Sequence, residues 1–168
     1  MQQRYLKKVA EVGIMKIKII SISRQEEDFI KDGCKYYESK LKHYCSFSFK
    51  ILKAPKESNR LLQLKSEWQL IKKELSDNET VVMMDENGKS ITSVALSEYL
   101  TAAQNKSTRS MSFLIGGAYG FDEEAYKRAN LKLSLSEMTL PHQLAKLVLT
   151  EQLYRAFTIM KNEKYHHI

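Results

Sequence analysis

With 168 residues, the chain is long enough for one domain with its own hydrophobic core, because domains of about 100 to 150 residues are the commonest. Apolar residues make up 43% of the sequence, and only six glycines and two prolines occur, which argues against disorder and long linkers. No apolar run reaches the length of a membrane span.

The formal net charge is +7 at pH 7, and the basic excess lies entirely within the first 73 residues. The motifs that we expect to form a binding pocket lie in the last third of the chain instead. A basic surface separate from a pocket is typical of a protein that holds a polyanion, so we expect a nucleic-acid partner. A basic face that only promotes solubility is the alternative.

Two cysteines, Cys34 and Cys45, lie near a predicted helix and the loop after it. Their spacing matches neither a CxxC motif nor a zinc site. We therefore predict two buried, inert thiols, which fit a reducing cytoplasm.

The first residues of the chain lack the apolar core and cleavage site of a secretory signal. Met15 directly precedes a clear strand pattern. We treat residues 1–14 as an N-terminal extension on which function does not depend, and residues 15–168 as a single domain.

Strand-like runs then alternate with helical patterns along the chain. The predicted strands are Lys16–Ser23, Phe47–Lys53, Thr80–Met84, Ser110–Ile115 and Leu131–Leu135. Apolar residues recur at helical spacing between these runs. This alternation predicts an α/β fold, a mostly parallel sheet with helices on both faces.

A last long helix is predicted after the leucine-rich segment, with Pro141 in its first turn. Apolar residues occupy more than one side of this helix. We expect one side to pack on the sheet and the other to meet a second subunit; a thicker single core is the alternative.

A glycine loop, Ile115-Gly116-Gly117-Ala118-Tyr119-Gly120, lies between a predicted strand and a helix that begins near Asp122. It lacks the pattern of a phosphate loop or a dinucleotide fold. Acidic residues already occupy the positive end of the helix dipole, so a neutral or cationic ligand such as S-adenosylmethionine fits better than a phosphate. A tight turn without a ligand is the alternative.

The segment that follows combines hydroxyl and apolar side chains. Ser134, Ser136 and Thr139 offer hydroxyl groups to an adenosine, and Leu135, Met138 and Leu140 offer apolar contacts. A Ser or Thr that caps the last helix is the alternative explanation. For His142 we expect a structural role.

The chain ends in Lys164-Tyr165-His166-His167-Ile168, and Arg155 lies earlier on the last helix. Adjacent histidines do not easily share one metal ion from a regular element, and no cysteine or carboxylate cluster completes a set, so we predict no metal site. A frayed terminus is the alternative to a functional tail.

Taken together, four motifs resemble the RlmH family, ribosomal RNA methyltransferases of the SPOUT class. They are Met83-Met84-Asp85-Glu86-Asn87-Gly88-Lys89-Ser90-Ile91-Thr92-Ser93, the glycine loop, Leu-Ser-x-x-Thr-Leu-Pro-His, and Glu151-Gln152-Leu153-Tyr154-Arg155-Ala156. The resemblance covers the chain from Met15 to its end.

This resemblance implies a C-terminal trefoil knot, a homodimer and S-adenosylmethionine bound in the knot. Periodicity alone predicts an unknotted sheet instead. Matched by position, the implied cofactor contacts are Met84, Gly116, Leu135, Ser136, Glu137, Met138, Thr139 and Leu140.

The implied substrate is a pseudouridine in helix 69 of 23S rRNA, methylated at N3 in the assembled ribosome. The N3 proton must leave, so we expect Arg155 to stabilise the developing charge, His166 to take the proton and Tyr165 to stack on or orient the base. Lys164 and Asn162 depart from the family pattern, in which proline and glycine are common at these positions. The alternatives are a non-catalytic ribosome-associated RNA-binding factor and a related methyltransferase that acts on tRNA.

Overall fold

The computed structural model describes residues 14–166, and strands and helices alternate along them. The strands are β1 (Lys16–Ser23), β2 (Ser46–Lys53), β3 (Thr80–Ser90), β4 (Ser110–Ile115) and β5 (Leu131–Ser134). The helices are α1 (Asp28–Leu41), α2 (Arg60–Lys73), α3 (Ser93–Asn105), α4 (Glu123–Arg128) and α5 (His142–Met160). Most of the predicted N-terminal extension, and the tail residues His167 and Ile168, lie outside the described residues.

The strands form one five-stranded parallel sheet in the order β2-β1-β4-β3-β5. The central strands β1 and β4 are almost wholly buried, which explains their nearly continuous apolar sequences. The prediction of an α/β fold with a parallel sheet is confirmed.

Helices cover both faces of the sheet, as predicted. On one face α1, α3 and α5 bury a core that includes Phe113 and Phe157. On the other face α2 and α4 bury a smaller core around Trp68, Phe121 and Ala125. Because both faces are covered, ligand access is left to the ends of the strands.

Helix α5 lies between α1 and α3 and packs on the sheet. Gly33 of α1 permits the close approach, since a Cβ atom at Gly33 would lie 2.8 Å from Cδ1 of Leu147. Much of the second apolar side of α5 is thus covered by the chain's own helices, as a thicker single core requires. Leu144 remains exposed at the start of the helix.

Strand β3 runs on to Ser90, so the predicted end at Met84 was wrong. Leu133 of β5 pairs with Met84 and again with Lys89, and residues 85–88 form an irregular excursion between the two pairs. A Cβ atom at Gly88 would lie 2.6 Å from the carbonyl carbon of Leu133, so the excursion passes directly across the β5 backbone. Its polar and glycine residues resemble a turn in sequence, which explains the error.

Cys34 and Cys45 are both buried, as predicted. Burial raises the pKa of the Cys34 thiol to about 11 and that of Cys45 to about 12. Both groups are therefore thiols at neutral pH and poor nucleophiles.

Candidate active site

Three loops meet at one end of the sheet, where β4 and β5 end and the neighbouring strand β3 is interrupted. They are residues 85–88 within β3, residues 116–122 after β4 and residues 135–141 after β5. In parallel sheets, ligands bind at this end. The glycine loop and the leucine-rich segment, far apart in sequence, thus become neighbours.

The loops surround a cavity of about 540 Å³, which we call the donor cavity after the methyl donor that the family resemblance implies. Its size lies in the usual range for small-molecule sites, roughly 300 to 1,000 Å³. Of the residues that the resemblance assigns to the cofactor, those that line the cavity are Met84, Gly116, Leu135, Ser136, Met138, Thr139 and Leu140. Glu137 is exposed and does not line it.

The glycine loop forms both a tight turn and part of the cavity wall. Gly120 has φ +81°, a conformation that L side chains rarely adopt, and its N–H donates to the carbonyl of Gly117 over 3.2 Å. A Cβ atom at Gly116 would lie 2.6 Å from the Gly120 carbonyl oxygen. Glycine is therefore required at these positions by the turn itself.

Hydroxyl groups shape the loop after β5. Ser134 donates to the carbonyl of Ser136 over 2.8 Å, and the Ser136 hydroxyl accepts from the N–H of Met138 over 2.9 Å. Helix α5 begins at His142, and Pro141 at its N-cap supplies no side-chain hydrogen bond. The capping alternative was therefore wrong, and Pro141 lies one residue before the helix rather than in its first turn.

Acidic residues that the sequence interpretation had not assigned to the site line the donor cavity. Asp85 and Glu86 belong to the β3 excursion, and Thr139 donates to Glu86 over 3.3 Å. Tyr126 donates to Asp85 over 2.5 Å, and burial together with this bond raises the pKa of Tyr126 to about 12. Their position just after a buried strand segment was the signal that could have identified these carboxylates.

Other lining residues include Arg60 and His142. Arg60 is exposed, and its guanidinium carbon lies 5.8 Å from the centre of the Tyr119 ring. His142, for which we expected a structural role, is the first residue of α5 and also faces the donor cavity.

The C-terminal tail folds back onto α5 and brings the three predicted catalytic residues together. Arg155 donates through Nε and Nη2 to Oε1 of Glu151 over 3.0 and 2.6 Å, and Tyr165 donates to the same oxygen over 3.0 Å. Arg155 Nη1 lies 3.4 Å from Nδ1 of His166. The hydrogen bonds that Arg155 donates to Glu151 raise the pKa of Arg155, which keeps the guanidinium charged.

Aromatic packing holds Tyr165 in place. Its ring lies 4.7 Å from that of Tyr154, edge to face, and its hydroxyl lies 3.4 Å from the hydroxyl of Tyr37. Burial and the hydrogen bonds to Tyr37 and Glu151 raise the pKa of Tyr165 above its usual range. Tyr165 is therefore a hydrogen-bond donor at neutral pH and not a base.

The turn that returns the tail depends on Asn162, one of the two departures from the family pattern. Asn162 has φ +55°, in the left-handed region that glycine and asparagine tolerate best. The N–H of Glu163 then donates to the carbonyl of Thr158 over 2.9 Å, which ends the helix. Glu163 in turn accepts from Tyr44 over 2.6 Å. A frayed end is thus not what the structure describes up to His166.

A second cavity of about 450 Å³, which we call the acceptor cavity, adjoins the donor cavity. Met84, Leu133, Ser134 and Leu135 line both. His166 and Gln152 lie on its other side, together with Ser93, which donates to Gln152 over 2.6 Å. The tail thus reaches a cavity that shares four lining residues with the donor cavity.

Two further observations apply to residues 14–166. None of the helices there combines the length and the apolar character needed to cross a bilayer. In the same range, no three His, Cys, Asp or Glu side chains converge in a way that would hold a metal ion.

Comparison with known proteins gives a consistent result. A family model described as "Predicted SPOUT methyltransferase" matches residues 15–166. The ribosomal RNA large subunit methyltransferase H of Christiangramia forsetii is 44% identical over 156 residues, which are 91% of this chain and 99% of that protein. The protein of the same name from Cytophaga hutchinsonii is 40% identical over 156 residues, which are 91% of this chain and 100% of that protein.

A solved structure supports the fold. The probable methylase family protein from Haemophilus influenzae Rd KW20 superposes with a TM-score of 0.52 at 13% identity, covering 94% of this chain and 72% of that one. Since the family model spans almost all of the described residues and both relatives match along nearly their whole length, the resemblance to RlmH is confirmed and the chain belongs to the SPOUT methyltransferase family.

Proposed function

We propose that this protein transfers the methyl group of S-adenosylmethionine to N3 of a pseudouridine in helix 69 of 23S rRNA, within the assembled ribosome in the cytoplasm. The names of its relatives support a large-subunit rRNA substrate. The observation that carries the proposal is that the two cavities adjoin: His166 lines the acceptor cavity, which shares Met84 and Leu133–Leu135 with the donor cavity.

The chemistry of the donor cavity fits S-adenosylmethionine. Asp85 and Glu86 line it, and Asp122 caps helix α4 by accepting from the N–H of Glu124 over 2.9 Å. A phosphate would meet these negative charges, whereas a sulfonium cation is attracted by them. Leu135, Met138 and Leu140 supply apolar surface for an adenine ring. When bound, the cofactor supplies an electrophilic methyl group on sulfur.

Arg155 and His166 would stabilise the base as its N3 proton leaves. A guanidinium only donates, so Nδ1 of His166 accepts from Arg155 and the neutral ring carries its proton on Nε2. Once Nδ1 leaves Arg155, His166 takes the N3 proton there, and Arg155 stabilises the negative charge that develops on the base. Tyr165 would orient the base through its ring.

We also propose the trefoil knot and the homodimer that the family resemblance implies. The match of the SPOUT methyltransferase family model to residues 15–166 supports the knot. The exposed Leu144, at the start of a helix with more than one apolar side, supports a partner at that end of α5.

The test measures transfer of labelled methyl groups to assembled ribosomes, separate subunits, free 23S rRNA and tRNA. Ribosomes with and without the helix 69 pseudouridines are compared, and the product is mapped to its nucleotide. We expect label only on assembled ribosomes that contain pseudouridine. Label on tRNA would show that the enzyme acts on tRNA instead of rRNA. A folded protein that binds S-adenosylmethionine but methylates none of these RNAs would be a non-catalytic factor.

Matched variants test the role of Arg155. Arg155→Lys keeps the charge but loses the planar donor pair, and we expect turnover to fall by about 100-fold with unchanged donor affinity. Arg109→Lys, an exposed site at the opposite end of the sheet, is the control. Equal activity of the two variants would remove Arg155 from the mechanism.

A further inference from the structure

The side chain of Glu67 lies buried directly behind the glycine loop. It is 4% exposed, on helix α2. A Cβ atom at Gly117 would lie 2.7 Å from Oε1 of Glu67 and 2.8 Å from Oε2, so the carboxyl group faces the backbone of Gly117. Gly117 also lines the donor cavity, whereas Glu67 does not. A single layer of backbone therefore separates this carboxyl group from the donor cavity.

The surroundings of Glu67 contain little to balance a negative charge. Its hydrogen bond within the described residues comes from the neutral amide of Gln63, over 2.6 Å, and the ion pairs found there do not include it. Glu79, the other acid buried to this degree, differs: Lys18 lies 3.6 Å from it and Ser110 donates to it. Burying an unpaired carboxylate is costly unless a cation compensates.

Because Glu67 is buried and close to the donor cavity, it attracts a cation in the cavity more strongly than exposed charges nearby do. Arg60, the cation at the rim, is in contact with solvent and is screened. A charge buried behind one layer of backbone is screened much less, so its attraction for a cation in the donor cavity persists at physiological salt.

We infer that Glu67 is a positioning residue that gives the donor cavity its preference for a positively charged ligand, favouring the sulfonium donor over the neutral thioether product. The inference rests on the proposed function. During transfer the S–CH3 bond breaks and its electron pair stays on sulfur, while the N3–CH3 bond forms and the N3 proton leaves. The cation that Glu67 attracts therefore disappears with each turnover, which favours release of the product.

The test compares the dissociation constants of S-adenosylmethionine and S-adenosylhomocysteine by calorimetry. Glu67→Gln keeps the shape and removes the charge, and we expect the preference for the donor over the product to fall roughly tenfold. Glu67→Asp should retain the preference. Glu57→Gln, an exposed acid just before α2, is the control for net charge and should also retain it.

A purely structural role would weaken both ligands by the same factor in Glu67→Gln, and that result would overturn the inference. If this variant does not fold, Gln63→Lys places a cation beside the same carboxyl group and should reduce the preference equally; an unchanged preference there contradicts the inference as well. If the wild-type protein binds neither ligand, the proposed function itself is refuted. The wild-type measurement comes first, so this outcome is distinguished from a failure of the inference about Glu67.

Discussion

The guanidinium carbon of Arg155 lies 4.7 Å from the centre of the Tyr165 ring, and both side chains donate to the same oxygen of Glu151. One carboxylate on α5 therefore fixes a cation from the helix and an aromatic ring from the tail. The stacking adds a cation–π attraction. The proposed catalytic residues are thus held together by a residue that carries no catalytic role of its own.

Replacing Glu151 with Gln should uncouple the tail from Arg155. The substitution keeps the shape but removes the charge that strengthens four hydrogen bonds, two from Arg155 and one each from Tyr165 and Gln152. Hydrogen bonds to a charged group contribute about 1.5 to 3 kcal/mol each. We expect turnover under saturating donor to fall at least about tenfold, while donor affinity, measured by calorimetry, stays unchanged. Glu98→Gln, exposed on α3 and lining neither cavity, is the matched control.

An equal loss of donor affinity and turnover in Glu151→Gln would contradict this assignment, because Glu151 does not line the donor cavity. A thermal scan of both variants separates a local effect from general unfolding.

The return of the tail should depend on the left-handed conformation of Asn162. Ser107, after α3, has φ +58°, close to the +55° of Asn162, so Asn162→Val and Ser107→Val each force a β-branched side chain into the left-handed region, at a cost of about 1 to 2 kcal/mol. We expect both to lower stability by this amount and only Asn162→Val to reduce methyl transfer. Asn162→Gly should keep full activity. A loss of activity in Ser107→Val would show that strain alone is responsible.

The two motif segments of the donor cavity could be found from sequence because each carries a local signal. The glycine loop interrupts an apolar strand, and Ser136 and Thr139 interrupt a leucine-rich run. The fold class likewise follows from alternating strand and helix patterns. These features depend on neighbours in the chain, which a sequence reveals directly.

For features that depend on distant contacts, the sequence carries at most a weak signal. Asp85 and Glu86 resemble a connecting turn, and only the renewed pairing of β3 with β5 places them in the donor cavity wall. The role of Glu151 arises only when Tyr165 folds back over 14 residues of chain. Periodicity also gives no information on threading, because helix and strand patterns are the same in a knotted and an unknotted sheet.

Replacement by alanine should lower the free energy of unfolding by different amounts at Gly88 and at Gly120. At Gly88 a Cβ atom would lie within 2.9 Å of three backbone atoms of Leu133, whereas at Gly120 it meets nothing within 4 Å and only the φ of +81° is unfavourable. We expect Gly88→Ala to lower the free energy of unfolding by about 3 kcal/mol and Gly120→Ala by about 1 kcal/mol. Equilibrium urea denaturation measures both. Equal losses would mean that β3 and β5 can separate at little cost.

Burial of Cys45 should make the protein less stable in alkali. Burial raises the pKa of its thiol from the ordinary value of 9.0 to about 12 in the folded protein, so above pH 9 the unfolded chain releases the proton first and is stabilised. The contribution of the thiol is complete below pH 9 and is lost as the pH rises toward 12. Between pH 8 and 10.5, wild-type protein should lose about 2 kcal/mol more than Cys45→Ala, measured by urea denaturation at each pH. Parallel pH profiles would show that Cys45 ionises in the folded state as readily as in the unfolded chain.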